Sequence, residues 1–500
     1  MTLRPRTTAL LLLAALLCLS APALAARQAL ALFPPEIVPA GTDNALAPAV
    51  TIFDQTLKEK LADRFDVRPA GEGTASATDD TRRRKARTLG ASYVLTGNLS
   101  RIGKTVTLDV TIAPVEEPGK GRTVIVSGAL ENPSAPTPQD LALFRRLGLE
   151  AALQTKHIFF GDERVGEGPS AKNIPKLSGT ITRSGSIPGD MVSTASSDTD
   201  LDGKMEFVAA YADAIVVYRV EGDELREKAR IPGAGPGLFH VDAADINRNG
   251  VADIIAVRYA GGKALSDIWE FDGKEYRKIS SALPYFLRTA DLGPEGIVLL
   301  GQASDPGTVF KGPVFRVAIQ RDGKTEVKDR DRPLPLPEGT FLYGFTSLRK
   351  GKGIRYAVLT DRNRILYLDE AGKELWLGLD AITGTEIFLE GTGRRLHVPG
   401  RMAAVDLDRD GTDELVVLND LVAAGTYFES VRVFAQAEVL CFAQGDTGLQ
   451  LAWRSPQLDA SARDLLADRS AKTAIRYAVA SRDRSKLLGA TTQWRVLWVK

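Results

Sequence analysis

Three nine-residue segments carry most of the chemistry in this sequence. Asp198-Thr199-Asp200-Leu201-Asp202-Gly203-Lys204-Met205-Glu206 recurs as Asp245-Ile246-Asn247-Arg248-Asn249-Gly250-Val251-Ala252-Asp253, and again as Asp406-Leu407-Asp408-Arg409-Asp410-Gly411-Thr412-Asp413-Glu414. Each fits D-x-[DN]-x-[DN]-G-x-x-[DE]. Oxygen-bearing side chains at positions one, three and five fold inward around one hard cation, and glycine at position six permits the sharp turn. The backbone carbonyls of Lys204, Val251 and Thr412 at position seven and the carboxylates of Glu206, Asp253 and Glu414 at position nine would complete each shell. A flexible cage of hard oxygens suits Ca²⁺ better than the smaller, strictly octahedral Mg²⁺. The competing reading is an Asp/Asn/Gly turn that holds no metal. Three copies of one spacing favour the metal.

The elements around these loops read as strands. An EF-hand would carry a bidentate Glu at its twelfth position, where this sequence has Ala209, Ala256 and Val417. The flanks Leu238 to Ala244 and Ile254 to Tyr259 have strand character, so each loop joins two strands of a hairpin. A second hairpin follows in most units. Ile215 to Leu225 turns at Glu221-Gly222-Asp223, Ile268 to Tyr276 at Asp272-Gly273 and Ile365 to Trp376 at Ala371-Gly372, while Phe315 to Val327 and Val439 to Trp453 have the same shape. Units of four short strands cannot bury both faces alone, but six or seven arranged radially can. Residues 165–500 are therefore predicted to form a six- or seven-bladed β-propeller in a mainly β protein, a seventh unit being assembled partly from residues 165–190. This stretch resembles the FG-GAP or VCBS repeat family, related to the integrin α-subunit propeller. The resemblance implies Ca²⁺ in the blade loops and a head that binds a ligand or partner. Metal at Asp291 to Glu295 or near Asp464 is not expected on the same footing, because those segments lack the full pattern.

Ahead of the propeller, residues 27–160 read as a small α/β domain. Ala29 to Phe33 and Phe65 to Pro69 have strand character, Pro48 to Phe65 and Asp79 to Thr88 helical spacing, and three strands follow from Ala91 to Leu130 before a helix from Asp140 to His157. The order of elements, with Leu89-Gly90-Ala91-Ser92-Tyr93-Val94-Leu95-Thr96-Gly97, resembles the amino-terminal domain of TolB and related envelope proteins. That resemblance implies an interaction or assembly module in the periplasm and carries no catalytic residues. The basic run Arg82-Arg83-Arg84-Lys85 reads as a solvated helix face, since Asp79 and Asp80 lie beside it.

The amino terminus supplies an address. Arg4 and Arg6 precede an apolar run from Ala9 to Leu19, and Ala23-Leu24-Ala25 gives the small-residue pattern of a cleaved signal peptide over residues 1–25. The run is too short to cross a bilayer, so a periplasmic or secreted protein with no stable membrane span is expected. The 500 residues hold 64 Lys plus Arg against 63 Asp plus Glu. That balance offers no field for steering the chain onto nucleic acid. Of two cysteines, Cys18 leaves with the signal and Cys441 reads as a buried small hydrophobe.

Catalytic signals are sparse. His157, His240 and His397 lie in no triad or zinc motif, and the five tryptophans read as packing residues near strand ends. The expectation is an exported, non-catalytic calcium-binding module that meets an envelope protein or a glycan. A hydrolase using carboxylates in the propeller's channel, acting on polysaccharide or phosphoester, and a surface adhesin are the alternatives.

Overall fold

Apolar residues four apart make a helix of Ala47–Leu61, whose Ala49, Phe53, Leu57 and Leu61 are all buried. Phe53 meets Phe144 of the long helix Pro138–Phe160 edge to face, ring centroids 5.9 Å apart. The first helix ends at Leu61, short of the expected Phe65, because Phe65 already opens the strand Phe65–Pro69. That strand runs parallel to Gln28–Leu32, which is parallel in turn to Tyr93–Ile102. Thr105–Pro114 and Arg122–Ala129 add an antiparallel meander. One apolar cluster seals the sheet against the two helices. The helix Asp79–Thr88 is capped by Thr78, whose hydroxyl accepts from the Thr81 N–H. Asp79 and Asp80 pair with Arg82 and Arg83 of the basic run.

This computed structural model describes residues 27–38, 44–62, 64–71, 78–160, 170–175, 177–221, 224–232, 235–320, 324–328, 332–392, 395–422, 434–445, 448–458, 461–468, 475–482 and 491–499. Residues 1–25, the expected signal peptide, lie outside them. The chain divides into two units, Met1–Asp162 and Glu163–Lys500. Among the described residues no helix is long and apolar enough to cross a membrane.

The second unit is a propeller. Among the described residues, five four-stranded antiparallel blades are built from consecutive strands, spanning 193–232, 238–283, 285–328, 345–381 and 402–454. The expected six or seven units of that kind are thus corrected to five. The remaining strands Ala462–Asp468, Ile475–Arg482 and Thr491–Val499 make a four-stranded sheet only by taking Leu177–Pro188 as its outer member. The strand that begins each sheet touches the first strands of its neighbours, and Ala462–Asp468 touches both Met402–Val405 and Ser193–Ser197. Between the fourth and fifth blades lies a two-stranded hairpin, Gly384–Glu390 with Arg395–Pro399. It was not foreseen. Its turn reaches the third blade, where the Thr392 N–H donates to the Pro306 carbonyl at 2.8 Å.

Apolar side chains alternate along the strands so that neighbouring sheets share their cores. Val208, Ile215 and Val217 of the first blade pack with Val241, Ile254 and Trp269 of the second. Cys441 is buried in the fifth blade among Val416, Val439 and Trp453, as expected of a small hydrophobe.

Candidate metal-binding loops and the channel network

The three acidic segments share one backbone. In each, a loop joins the first strand of a blade to the second, at the same end of the propeller. The fourth residue is left-handed although it is not glycine, with φ of 62° at Leu201, 58° at Arg248 and 62° at Arg409, and the glycine two residues on is also left-handed, at 78°, 94° and 85°. These turns are held from within. The N–H groups of Gly203, Gly250 and Gly411 donate to Asp198, Asp245 and Asp406 at 2.9–3.1 Å. Those of Lys204, Val251 and Thr412 donate to Asp202, Asn249 and Asp410 at 2.7–2.9 Å. The ninth residue reaches back, so that Glu206, Asp253 and Glu414 accept from Thr199, Ile246 and Leu407 at 2.7–3.1 Å. The residues at the EF-hand's twelfth position, Ala209, Ala256 and Val417, are buried in strands.

What differs between the loops is the charge brought to them from other strands. In the first, Lys228 from Glu224–Pro232 pairs with Asp200, lies 3.0 Å from Glu206 and 3.3 Å from Asp202, and Arg219 meets Asp202 at 2.7 Å. Burial works against the Lys228 charge, but the hydrogen bonds it donates to Asp200 and Glu206 raise its pKa above the ordinary lysine value. The second loop has amides at positions three and five and gains a carboxylate that sequence reading missed. Glu270 accepts from Asn247 at 2.8 Å and from Asn249 at 2.6 Å. Burial and then Glu270 push the Asp253 carboxyl up to about 7. The third loop gathers Asp406, Asp408, Asp410 and Glu414. Burial, with Asp408, Asp406 and Asp410 adding like charge, pushes Glu414 up to about 8, and burial with Asp410 raises Asp408.

Two observations fit a cation. In the first and third loops, oxygens of the first, third and ninth residues lie within 4.8 Å of one another: Asp198, Asp200 and Glu206, and Asp406, Asp408 and Glu414. Oδ1 of Asp198 is buried with no hydrogen-bond partner among the described residues. The weaker segments differ. Glu295 is taken by Arg316 at 2.7 Å, and Asp464 by Arg401 at 2.7 Å.

Asp464 belongs to a second constellation, at the propeller's centre. Arg401, just ahead of the fifth blade, donates through Nε to Asp464 at 2.7 Å, through Nη1 to Asp242 at 3.0 Å, and through Nη2 to the carbonyls of Thr194 and Val241 at 3.1 and 3.3 Å. Ser193 donates to Asp464 at 2.9 Å, and the Thr289 N–H to Asp242 at 2.8 Å. Burial opposes the charge of Asp242, yet His240 and Arg401 hold its carboxyl far below the usual range. His240 lies 3.2 Å from Asp242, and burial lowers its own pKa. Arg288 donates to the carbonyls of Leu342 and Phe345. Ser193, His240, Arg288, Arg401 and Asp464 line a cavity of about 30 Å³ together with Ile387, Val398 and Pro399 of the extra hairpin. Glu386 of that hairpin pairs with Arg463 at 3.2 Å, and Arg463 pairs with Asp190 at 3.0 Å. The network joins strands from separate sheets and has no local signature, which is why it was not legible beforehand. Of the other histidines, His397 meets the Thr385 carbonyl at 3.0 Å, and the His157 side chain lies outside the described residues.

The fold and the loops define the class: a mainly β propeller protein with acidic loops at one end of its blades, following an α/β unit. Residues 198–256, which span the first two loops, match the family described as FG-GAP-like repeat. Solved structures to which this chain is similar include TolB from Acinetobacter baumannii, 11% identical, covering 95% of this chain and 97% of that one with a TM-score of 0.26. The LpoB C-terminal domain from Escherichia coli is 21% identical over 22% of this chain and 90% of its own, TM-score 0.18. BBS1N, solved in complex with ARL6DN, is 12% identical over 65% of this chain and 97% of its own, TM-score 0.35. No curated protein matches the chain.

Proposed function

We propose that this chain is an exported, non-catalytic binding or scaffold protein whose propeller is stabilised by Ca²⁺ and meets an envelope protein or a glycan. The observation that carries the calcium reading is the third loop, where four carboxylates converge with Glu414 buried and its pKa raised to about 8. Bound there, Ca²⁺ would neutralise that charge. Asp406, Asp408, Asp410 and Glu414 would hold it with the Thr412 carbonyl. In the second loop Glu270 makes good the carboxylates that Asn247 and Asn249 lack, beside Asp245, Asp253 and the Val251 carbonyl. The first would use Asp198, Asp200, Asp202, Glu206 and the Lys204 carbonyl. The composite sheet closed by Leu177–Pro188 serves as the last member of the ring, joining the two ends of the propeller segment. Export rests on the Arg4/Arg6, apolar and Ala23-Leu24-Ala25 pattern.

One observation favours the hydrolase reading: Ser193, His240, Asp242 and Asp464 converge in the channel. Their hydrogen bonds argue for a brace instead. Both carboxylates are held by Arg401, and about 30 Å³ admits a water molecule rather than a substrate, for which pockets of roughly 300 Å³ upward are usual. Calcium titration of chelator-treated protein, with a pull-down from envelope extract, tests the proposal. Uptake of Ca²⁺ and specific capture of an envelope component support it. No uptake refutes the calcium role, and hydrolysis of polysaccharide or phosphoester abolished by His240→Ala refutes the non-catalytic reading.

A further inference from the structure

We propose that Lys228 is a built-in competitor for the cation of the first acidic loop, which makes that loop the weakest of the three calcium sites. The inference rests on the calcium reading above. The ammonium pairs with Asp200, Asp202 and Glu206, three of the four acids that would coordinate a metal, and the side chain is only 23% exposed. It therefore sits where a dication would sit. Arg219, paired across the sheet with Glu206, adds a second positive charge at Asp202.

The remaining loops are met differently: in the third, Arg349 pairs with Asp413, the eighth residue, at 2.9 Å. Glu270 stands beside Trp269, whose partner is Ile254, and so faces the ninth residue of the second loop as Arg219 faces that of the first. In the third blade to carry such a loop, the Leu415–Phe442 pair puts Ala443 at the corresponding place. One structural position thus holds a cation, an anion or a neutral residue. The ammonium also leaves the cage incomplete. Oδ1 of Asp198 remains buried without a partner among the described residues. Calcium entering the first loop satisfies that oxygen only by expelling Lys228, and the free energy of breaking three ion pairs comes out of its affinity.

The test is calorimetric titration of the chelator-treated full chain with Ca²⁺ alone. The wild type should show one class of sites weaker than the others. Lys228→Met, which keeps the apolar stem and removes the charge, should tighten that weak class by at least about tenfold and leave the rest unchanged. Lys228→Arg should leave it weak. Because Lys228→Met leaves three acids facing one another and can cost folding, Asp200→Asn supplies an independent arm and should abolish the weak class alone. An unchanged weak class in folded Lys228→Met, three equal classes in the wild type, or loss of a tight class in Asp200→Asn would each overturn the competitor while leaving the calcium reading in place. Absence of calcium uptake by every one of these proteins overturns both.

Discussion

Arg401 shows how much one side chain can hold. It bridges Asp242 and Asp464, which come from the second blade and the composite sheet, and keeps only 17% of its side chain open, toward the channel cavity. Arg401→Met leaves two buried carboxylates without their counter-charge, and should lower stability by about 3–5 kcal/mol in urea unfolding. Arg401→Lys should recover little, since a single ammonium cannot reproduce a fork that engages both acids and two carbonyls at once. An unaltered urea midpoint in Arg401→Met would remove the brace from the account. His240 predicts a pH dependence. Its folded-state pKa lies below the ordinary 6.5 because burial excludes the imidazolium. Below about 6.5 the unfolded chain gains a proton that the folded chain refuses, so this contribution is present above that pH and is lost as the pH falls. The melting temperature of the wild type should therefore drop more steeply than that of His240→Asn between pH 7 and 5. Parallel curves would show that His240 does not titrate on unfolding.

At the scale of elements, the acidic loop is a self-held turn to which a metal can be added. Two left-handed residues and at least three internal hydrogen bonds shape it, as at Leu407, Gly411 and Thr412. Gly411 has a φ of 85° with open space around its Cβ direction, so Gly411→Ala should cost about 1 kcal/mol through backbone strain alone. Calcium-free urea unfolding measures it. Asp408→Ala removes like charge from a crowded cage and should leave the metal-free fold intact while one tight calcium site disappears. Loss of folding in the absence of metal would show that Asp408 serves the turn itself. The loops' turns were legible because the hydrogen bonds that shape them, such as those from Leu407, Gly411 and Thr412, fall within nine residues. Lys228 and Glu270 were not, because they lie 22 and 17 residues beyond Glu206 and Asp253 and reach the loops only once the strands have paired.

For the whole molecule, closure is the issue. The last sheet is complete only with Leu177–Pro188, the first strand of the second unit. A chain beginning at residue 189 leaves the strand Thr491–Val499 with an open edge, and should melt at least about 10 °C lower than one beginning at residue 163, or lose its cooperative transition. Equal melting would mean that the outer strand does not fasten the ring. Chelation acts at the same scale. A ligand held only by the native state stabilises it by mass action, so removing calcium from the full chain should lower its melting temperature, and restoring the metal should reverse the loss.

The amino-acid sequence alone determined the acidic turns, the alternating strands that build the blades, and the helices and meander of the first unit. Each is set by spacing over a few residues, where backbone geometry and the period of apolar side chains leave few choices. Tertiary structure decided what those pieces meet: five consecutive blades rather than six or seven, a composite sheet joining distant strands, a hairpin lining the channel cavity, Arg401 between two carboxylates, and a lysine in one acidic cage against a glutamate in the next. Such contacts depend on strand register and on which sheets become neighbours, and those are settled only when the whole chain buries its apolar faces together.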